Sequence, residues 1–207
     1  LVEVLVHNDQ VKIVAVIEQE ITFFKRFIVT GYLVLATLPG NLFEDINNVV
    51  STIVKEIGMS TGACHLELKL VNNSWKLIEI NPRISGGAMN QMIKVSCGIN
   101  LVRETVRLAL GEEPNLKKSH SHYVFTQYLI ASSPGILKKV TGRNRASSYP
   151  GVTDVYVKYS RGSEIGPPLS MGKRCGYVMA VGDSPEEAKT RAKTAASEIR
   201  FHLESPE

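Results

Sequence analysis

Residues 62–87 read GACHLELKLVNNSWKLIEINPRISGG, and the pairing of their two halves decides the fold. Leu66, Leu68 and Leu70 alternate with His65, Glu67 and Lys69. Ile78 and Ile80 alternate with Leu77, Glu79 and Asn81. A period of two is the signature of a strand with one buried face, so the stretch is expected to be a β-hairpin. If both arms turn their even-numbered residues into one core, paired positions must sum to an even number, because a one-residue slip would expose one arm's leucines. The simplest turn obeying this is Asn72, Asn73 and Ser74, with Val71 opposite Trp75. Glu67 then faces Glu79, and His65 faces Asn81.

Directly opposed residues hold their β-carbons about 5 Å apart. Two carboxylates at that distance repel unless something positive lies between them. A divalent cation resolves the conflict, and two carboxylates with an amide suit Mg²⁺, which takes oxygen ligands and keeps places for water and phosphate. Glu67, Glu79 and Asn81 are therefore candidate metal ligands. The plain alternative is a solvated hairpin face on which Lys69 dilutes the repulsion. Residues 82–87 favour a site: Pro82 keeps Asn81 extended, Arg83 offers a planar fork for a carboxylate or phosphate, and Gly86 and Gly87 bring backbone close to a ligand or start a helix whose first amides bind an anion.

Outward from the hairpin, "LVEVLV" and "VKIVAVIEQE" are strand-like runs around the turn-forming "HNDQ", and residues 31–38 read as another strand. Leu42, Ile46, Val49, Val50, Ile53 and Ile57 fall at helical spacing and stop at Gly58. Two short helices come after the glycine pair. Residues 111–121 are polar and contain a proline, which marks a boundary. Beyond it come several short strands, then a helix from Pro185 to about Leu203, with Ser184 as cap and Glu187 completing a capping box.

Composition bounds the function. With 207 residues, 43% hydrophobic and 21% charged, the chain can bury one large core or two small ones. No apolar run reaches the roughly 18 residues needed to cross a bilayer. Cys64, Cys97 and Cys175 form no CxxC pair, a usage that fits a reducing cytoplasm. Residues 1–113 carry 10 Lys and Arg against 12 Asp and Glu, and residues 114–207 carry 14 against 8. That asymmetry is too weak for a dedicated nucleic-acid binder; "GRNR" at 142–145 could meet an anionic group, and the plainer expectation is a solvated loop. The chain opens inside a strand-like run with no initiator methionine, and it is expected to be a piece of something longer.

The constellation Glu67, Glu79, Asn81, Arg83 resembles the ATP-grasp enzymes, whose motif is a strand glutamate, a gap of about a dozen residues, then E-x-N-x-R. The likeness runs from residue 1 to about 111. The final part, including "KRCGYVMAVGDSPEEAKTRAKTAASEI", resembles the C-terminal region of biotin-carboxylase-like ligases, particularly the L-amino-acid (dipeptide) ligase branch. The resemblance implies an α+β fold in which an antiparallel sheet with flanking helices, the C-terminal part of an ATP-grasp domain over 1–111, precedes a smaller α+β subdomain over 112–207. It implies ATP and Mg²⁺, with Mn²⁺ as a substitute, held by Glu67, Glu79 and Asn81, and an Arg83 that faces the carboxylate or acyl-phosphate. Glu3 would lie near the nucleotide and contact ribose. Gly86, Gly87 and Tyr32 would line the substrate site, Tyr32 standing where relatives often carry histidine.

The implied activity is amide-bond formation through an acyl-phosphate, on small-molecule carboxylate and amine substrates, in a cytoplasmic enzyme expected to form a homodimer, without nucleic acid or membrane. The lysines and glycine-rich loop that hold ATP's phosphates lie upstream in the family, so this chain is expected to be inactive by itself. A biotin carboxylase, a purine-pathway ligase and a non-catalytic assembly module are the competing readings.

Overall fold

The computed structural model describes residues 1–204 and divides the chain into two compact units, one of Leu1–Glu18 with Val34–Ser121, the other of Gln19–Leu33 with the residues from His122 onward. The expected α+β class holds. Residues 19–33, which include the end of strand β2 (Gln10–Phe23) and most of strand β3 (Phe27–Val34), are grouped with the second unit.

In the first unit β1 (Val2–His7), the start of β2, β4 (Gly62–Val71) and β5 (Ser74–Asn81) form an antiparallel sheet in the order β5-β4-β1-β2. Both hairpins close on two-residue turns with left-handed backbone, Asn8–Asp9 at φ 50° and 64° and Asn72–Asn73 at φ 49° and 57°. Asparagine and aspartate tolerate that region, and the resulting turn matches the strands' own twist. Helix α1 (Gly40–Glu56) lays Ile46, Val50 and Val54, four residues apart, on the face formed by Val2, Val4, Val6, Cys64 and Leu66. The odd-numbered residues of β1 and β4 therefore point to the opposite face. Helices α2 (Met89–Cys97) and α3 (Leu101–Ala109) come next, and α3 packs against β4.

Glu104 of α3 has no exposed side-chain surface. Its carboxylate accepts from Arg103 Nε at 2.8 Å and from the Asn115 N–H at 2.7 Å, and Arg107 lies 3.7 Å away. The polar stretch after α3 is thus tied to the helix from inside. Burial pushes this carboxyl up, but the hydrogen bonds and two guanidinium groups outweigh it and hold it below its usual range.

In the second unit the outer part of β2 and β3 continue into β6 (Tyr123–Leu129), β10 (Gly176–Gly182) and β8 (Val152–Val157), in the order β2-β3-β6-β10-β8. A small sheet has the order β11-β7-β9, from Arg200–Glu204, Gly135–Thr141 and Glu164–Ile165. Helix α5 (Pro185–Ser197) covers β6 and β10 with Ala188, Ala192 and Ala195, all fully buried. Ser184 Oγ accepts from the Glu187 N–H, and Glu187 reaches back to the Asp183 N–H.

Three expectations are corrected. The last helix stops at Ser197, and residues 200–204 form β11, because Phe201 and Leu203 alternate into the core beside Leu137 and Ile199. The strand expected at 31–38 runs from Phe27 to Val34. "GRNR" opens a five-residue helix α4 (Arg143–Ser147) with Ala146 buried in that same core. Among the described residues no helix is long and apolar enough to cross a membrane.

Candidate functional site

The β4–β5 hairpin pairs Glu67 with Glu79, Leu66 with Ile80 and His65 with Asn81. The route to that register differs from the expected one. The turn has two residues, so the outer half pairs Val71 with Ser74, Leu70 with Trp75 and Leu68 with Leu77, and the register shifts between Glu67 and Leu68. Ile78 is the extra residue of a β-bulge and is 63% exposed. The bulge has a clear cause. Trp75 and Ile80 both pack on the core below the sheet, yet their numbers differ in parity, so a regular strand could not bury both. One inserted residue lets it.

The β1–β2 hairpin carries the same device, with Val14 of β2 as the extra residue. The register of β1 against β2 shifts between Glu3 and Val4. On the other side β1 pairs with β4 without irregularity, placing Glu3 beside His65. Glu3, His65 and Asn81 thus form one rung across three strands, and Glu67 and Glu79 form the neighbouring rung on the same face.

Polar contacts knit these rungs to the segment after β5. The Asn81 amide nitrogen donates to Glu79 Oε1 at 2.8 Å and lies 3.2 Å from His65 Nε2. His65 Nδ1 is 3.0 Å from the Arg83 carbonyl oxygen. The Arg83 N–H donates to the Asn81 carbonyl at 2.8 Å, closing a three-residue turn centred on Pro82, whose fixed φ suits it. The Arg83 guanidinium is exposed and folds back to donate to the Ile84 carbonyl. Gly87 has φ +67°, a conformation that favours glycine, and Gly86 meets open space. Neither starts a helix, since α2 begins at Met89 after Ala88.

Glu3 lies deeper than its expected role suggested, with no exposed surface. Its Oε2 accepts from the Ser85 N–H at 3.3 Å, while Oε1 and the Ser85 hydroxyl, both buried, meet no partner at ordinary hydrogen-bond geometry, although the hydroxyl is near enough to act on the carboxyl. Burial raises the Glu3 carboxyl above its usual range, against the hydrogen bonding of Ser85 and the nearby His65. Burial, with Glu3 next, pushes the Cys64 thiol up to about 11, so Cys64 is a packed core group, and none of the three cysteines is exposed. Tyr32 belongs to the second unit, where its ring sits edge-on to Tyr128 at 5.9 Å and Arg174 stacks 3.5 Å over Tyr128.

Among the described residues no three His, Cys, Asp or Glu side chains gather into a metal site, and no lysine or arginine is ion-paired with Glu67 or Glu79. Two carboxylates and one amide oxygen are the donor set that a Mg²⁺ shared with phosphate oxygens needs, rather than a closed protein cage. The donors present fit that ion. The Glu67–Glu79 and His65–Asn81 pairings expected from the sequence are the ones the hairpin makes. The expected reading left the role of His65 open and did not include the contact of Ser85 with Glu3, which lies 82 residues away in the chain.

Comparison with known proteins agrees with the fold. The ATP-grasp domain family matches residues 1–91, and the L-amino acid ligase C-terminal domain 2 family matches residues 127–204. The uncharacterized protein y4rH of Sinorhizobium fredii is 31% identical over 168 residues, covering 81% of this chain and 35% of that protein. Dapdiamide A synthase of Enterobacter agglomerans is 22% identical over 150 residues, covering 69% of this chain and 35% of its own length. Among solved structures, the L-amino acid ligase of Bacillus licheniformis aligns with a TM-score of 0.84 at 20% identity, over 99% of this chain and 51% of that one. Phosphoribosylglycinamide synthetase of Anaerococcus prevotii aligns at 0.86 and 16%, over 98% and 52%. The biotin carboxylase domain dimer of Hydrogenobacter thermophilus 2-oxoglutarate carboxylase, solved with MgADP and bicarbonate, aligns at 0.71 and 19%, over 98% and 45%. The chain therefore spans about a third of these curated relatives and about half of these solved structures. These two matched segments make the chain similar to ATP-grasp enzymes over residues 1–91 and to L-amino acid ligases over residues 127–204.

Proposed function

We propose that the chain carries the metal and carboxylate side of an ATP-dependent carboxylate–amine ligase, acting on small-molecule substrates of the amino-acid class. The observation behind this reading is the Glu67–Glu79 rung: two opposed carboxylates with no lysine or arginine paired to them among the described residues, and the Asn81 amide beside them. Glu67, Glu79 and Asn81 Oδ1 are assigned as ligands. Mg²⁺ bound there supplies neutralisation of ATP's phosphate oxygens and alignment for in-line transfer to a carboxylate. Mn²⁺, which takes the same oxygen donors, serves as a probe.

Arg83, exposed and, among the described residues, donating from its guanidinium to a backbone carbonyl, can swing its fork onto the substrate carboxylate or the acyl-phosphate. Gly86 and Gly87 leave that approach open. Glu3 is assigned a place beneath the loop, and a ribose would reach it only if residues 82–87 moved. The Tyr32 hydroxyl is assigned to the substrate side. Residues 1–111 carry the metal site and 112–207 the C-terminal subdomain, in a protein proposed to be a cytoplasmic homodimer. The amino-acid class rests on the match of residues 127–204 to the L-amino acid ligase domain.

Mn²⁺ titration followed by electron paramagnetic resonance tests the metal assignment, with Glu79→Gln as control. The reading requires the variant to bind at least about tenfold more weakly, as loss of a ligand carboxylate should. Equal binding by the two proteins refutes it. ATP-dependent phosphate release, screened against amino-acid pairs with a protein that also carries the upstream phosphate-binding half, tests the substrate class.

A further inference from the structure

His65 sits one rung from the proposed ligands and links them to the loop beyond. It is 5% exposed, and each ring nitrogen faces a different element: Nε2 the Asn81 amide at 3.2 Å, Nδ1 the Arg83 carbonyl at 3.0 Å. Their polarity can be worked out in order. An ionised Glu79 carboxylate only accepts, so the Asn81 atom 2.8 Å from it must be the NH₂ nitrogen. Turning the amide over would set its oxygen against a carboxylate oxygen. The same NH₂ group faces His65 Nε2, which must therefore accept. The ring proton is left on Nδ1, where it meets a carbonyl oxygen, an obligate acceptor. One proton assignment satisfies every contact from Glu79 through Asn81 and His65 to Arg83.

This fixes what Asn81 can present. Both of its amide hydrogens are taken by protein acceptors, so Oδ1 is the atom left to a ligand. The same imidazole holds the carbonyl of the residue that bears the guanidinium. We infer that His65, as the neutral Nδ1–H tautomer, is a positioning residue that aims Asn81 Oδ1 outward and pins the backbone of Arg83, so that ligand and anion-binding groups are set by one buried ring. The inference rests on the metal reading of Glu67, Glu79 and Asn81 only for its functional consequence, because the tautomer can be measured without metal. A buried structural histidine alone would not require that its two nitrogens serve two different functional residues, nor that the two services be separable.

They are separable by substitution. Asparagine at 65 can keep a donor near the Nδ1 position but offers no acceptor at Nε2. Glutamine can place its carbonyl near Nε2 but loses the Nδ1 donor. His65→Asn is expected to weaken Mn²⁺ binding by about tenfold or more, the usual cost of removing a ligand's outer partner. His65→Gln is expected to bind Mn²⁺ within about threefold of the parent while hydrogen exchange at the Arg83 and Ser85 amides speeds up. The direct readout is the pair of ring nitrogen shifts in the metal-free chain, recorded by long-range ¹H–¹⁵N correlation. They should show a protonated Nδ1 and an unprotonated Nε2.

An Nε2–H tautomer in the parent chain overturns the inference whatever the metal does. So does unchanged Mn²⁺ affinity in both variants when Glu79→Gln has lost it, an outcome that leaves the metal reading standing. If Glu79→Gln binds Mn²⁺ like the parent, the metal reading fails, and the nitrogen shifts still decide the role of His65 in orienting Asn81. Circular dichroism of each variant separates misfolding from these outcomes, and the shift measurement needs no variant at all.

Discussion

Replacing Glu104 by glutamine keeps the shape of a fully buried side chain and removes its charge. The carboxylate accepts from Arg103 Nε and from the Asn115 N–H, with Arg107 3.7 Å away. Glutamine can accept only one of the two close donors, and its NH₂ must turn toward the other. A hydrogen bond to a charged group contributes about 1.5–3 kcal/mol. Arg103 is 62% exposed and Arg107 38%, so water screens much of the ionic part. The expected loss is about 2 kcal/mol at pH 7, or about 4–8 °C in melting temperature for a chain of this size. The sign with pH comes from the folded state holding this carboxyl below its value of 4.5. Such a group stabilises above its unfolded pKa, and that stability is lost as pH falls through the folded pKa. The gap between parent and Glu104→Gln should therefore be widest at neutral pH and shrink as the pH falls below 4.5 and through the lowered folded pKa. Urea unfolding at pH 7 and pH 3.5 measures both gaps, and exchange at the Asn115 amide should accelerate in the variant. A gap under about 0.5 kcal/mol at pH 7, or one that grows on acidification, would refute the reasoning.

Deleting Ile78, a residue 63% exposed, should cost about 2 kcal/mol, because without the bulge either Trp75 or Ile80 leaves the core; chemical denaturation that finds the deletion neutral contradicts the account of the bulge. Gly182→Ala should destabilise by about 1–3 kcal/mol, since a Cβ there would stand 2.5 Å from the Ala188 nitrogen and backbone cannot yield as a flexible side chain does; thermal melting reads it. Glu3→Gln should gain on the parent as pH rises. The Glu3 carboxyl is raised above 4.5 in the fold, so its contribution is full below that value and lost as pH climbs through the folded pKa. Paired unfolding curves at pH 4 and pH 8 that show the opposite trend would dispose of this assignment.

Much of the first unit was legible in the residues. The alternation of Leu66 and Leu68 with His65 and Glu67 set the strand, and a parity argument led to the Glu67–Glu79 pairing. It did so through a wrong turn, because two irregularities cancelled: a turn one residue shorter than supposed and one extra residue at Ile78. Bulges leave no mark in a period-two pattern except a conflict of parity, here between Trp75 and Ile80, which becomes visible only once both are known to be buried. Helix α5 was legible because its cap, proline and capping glutamate are local signals. Its end was not, since RFHLE becomes a strand only by finding β7 far away in the chain. The start of β3 was hidden by the aromatic and basic run FFKRF, which has no regular period. The tautomer of His65 depends on three partners that local pattern cannot bring together.

The two hairpins of the first unit share a construction: a tight Asn-containing tip, a regular outer ladder, and one surplus residue placed just before the rung that bears an acid, Glu3 in one case and Glu67 in the other. Such a joint is a mechanical insulator. A strand interrupted there can absorb a change of length or sequence at its tip by local adjustment, leaving the acid-bearing rung where it was. The tips at Asn8–Asp9 and Asn72–Asn73 are accordingly the places to graft reporter peptides or affinity tags, and lengthening them offers a way to remodel the rim of the molecule without retuning its interior.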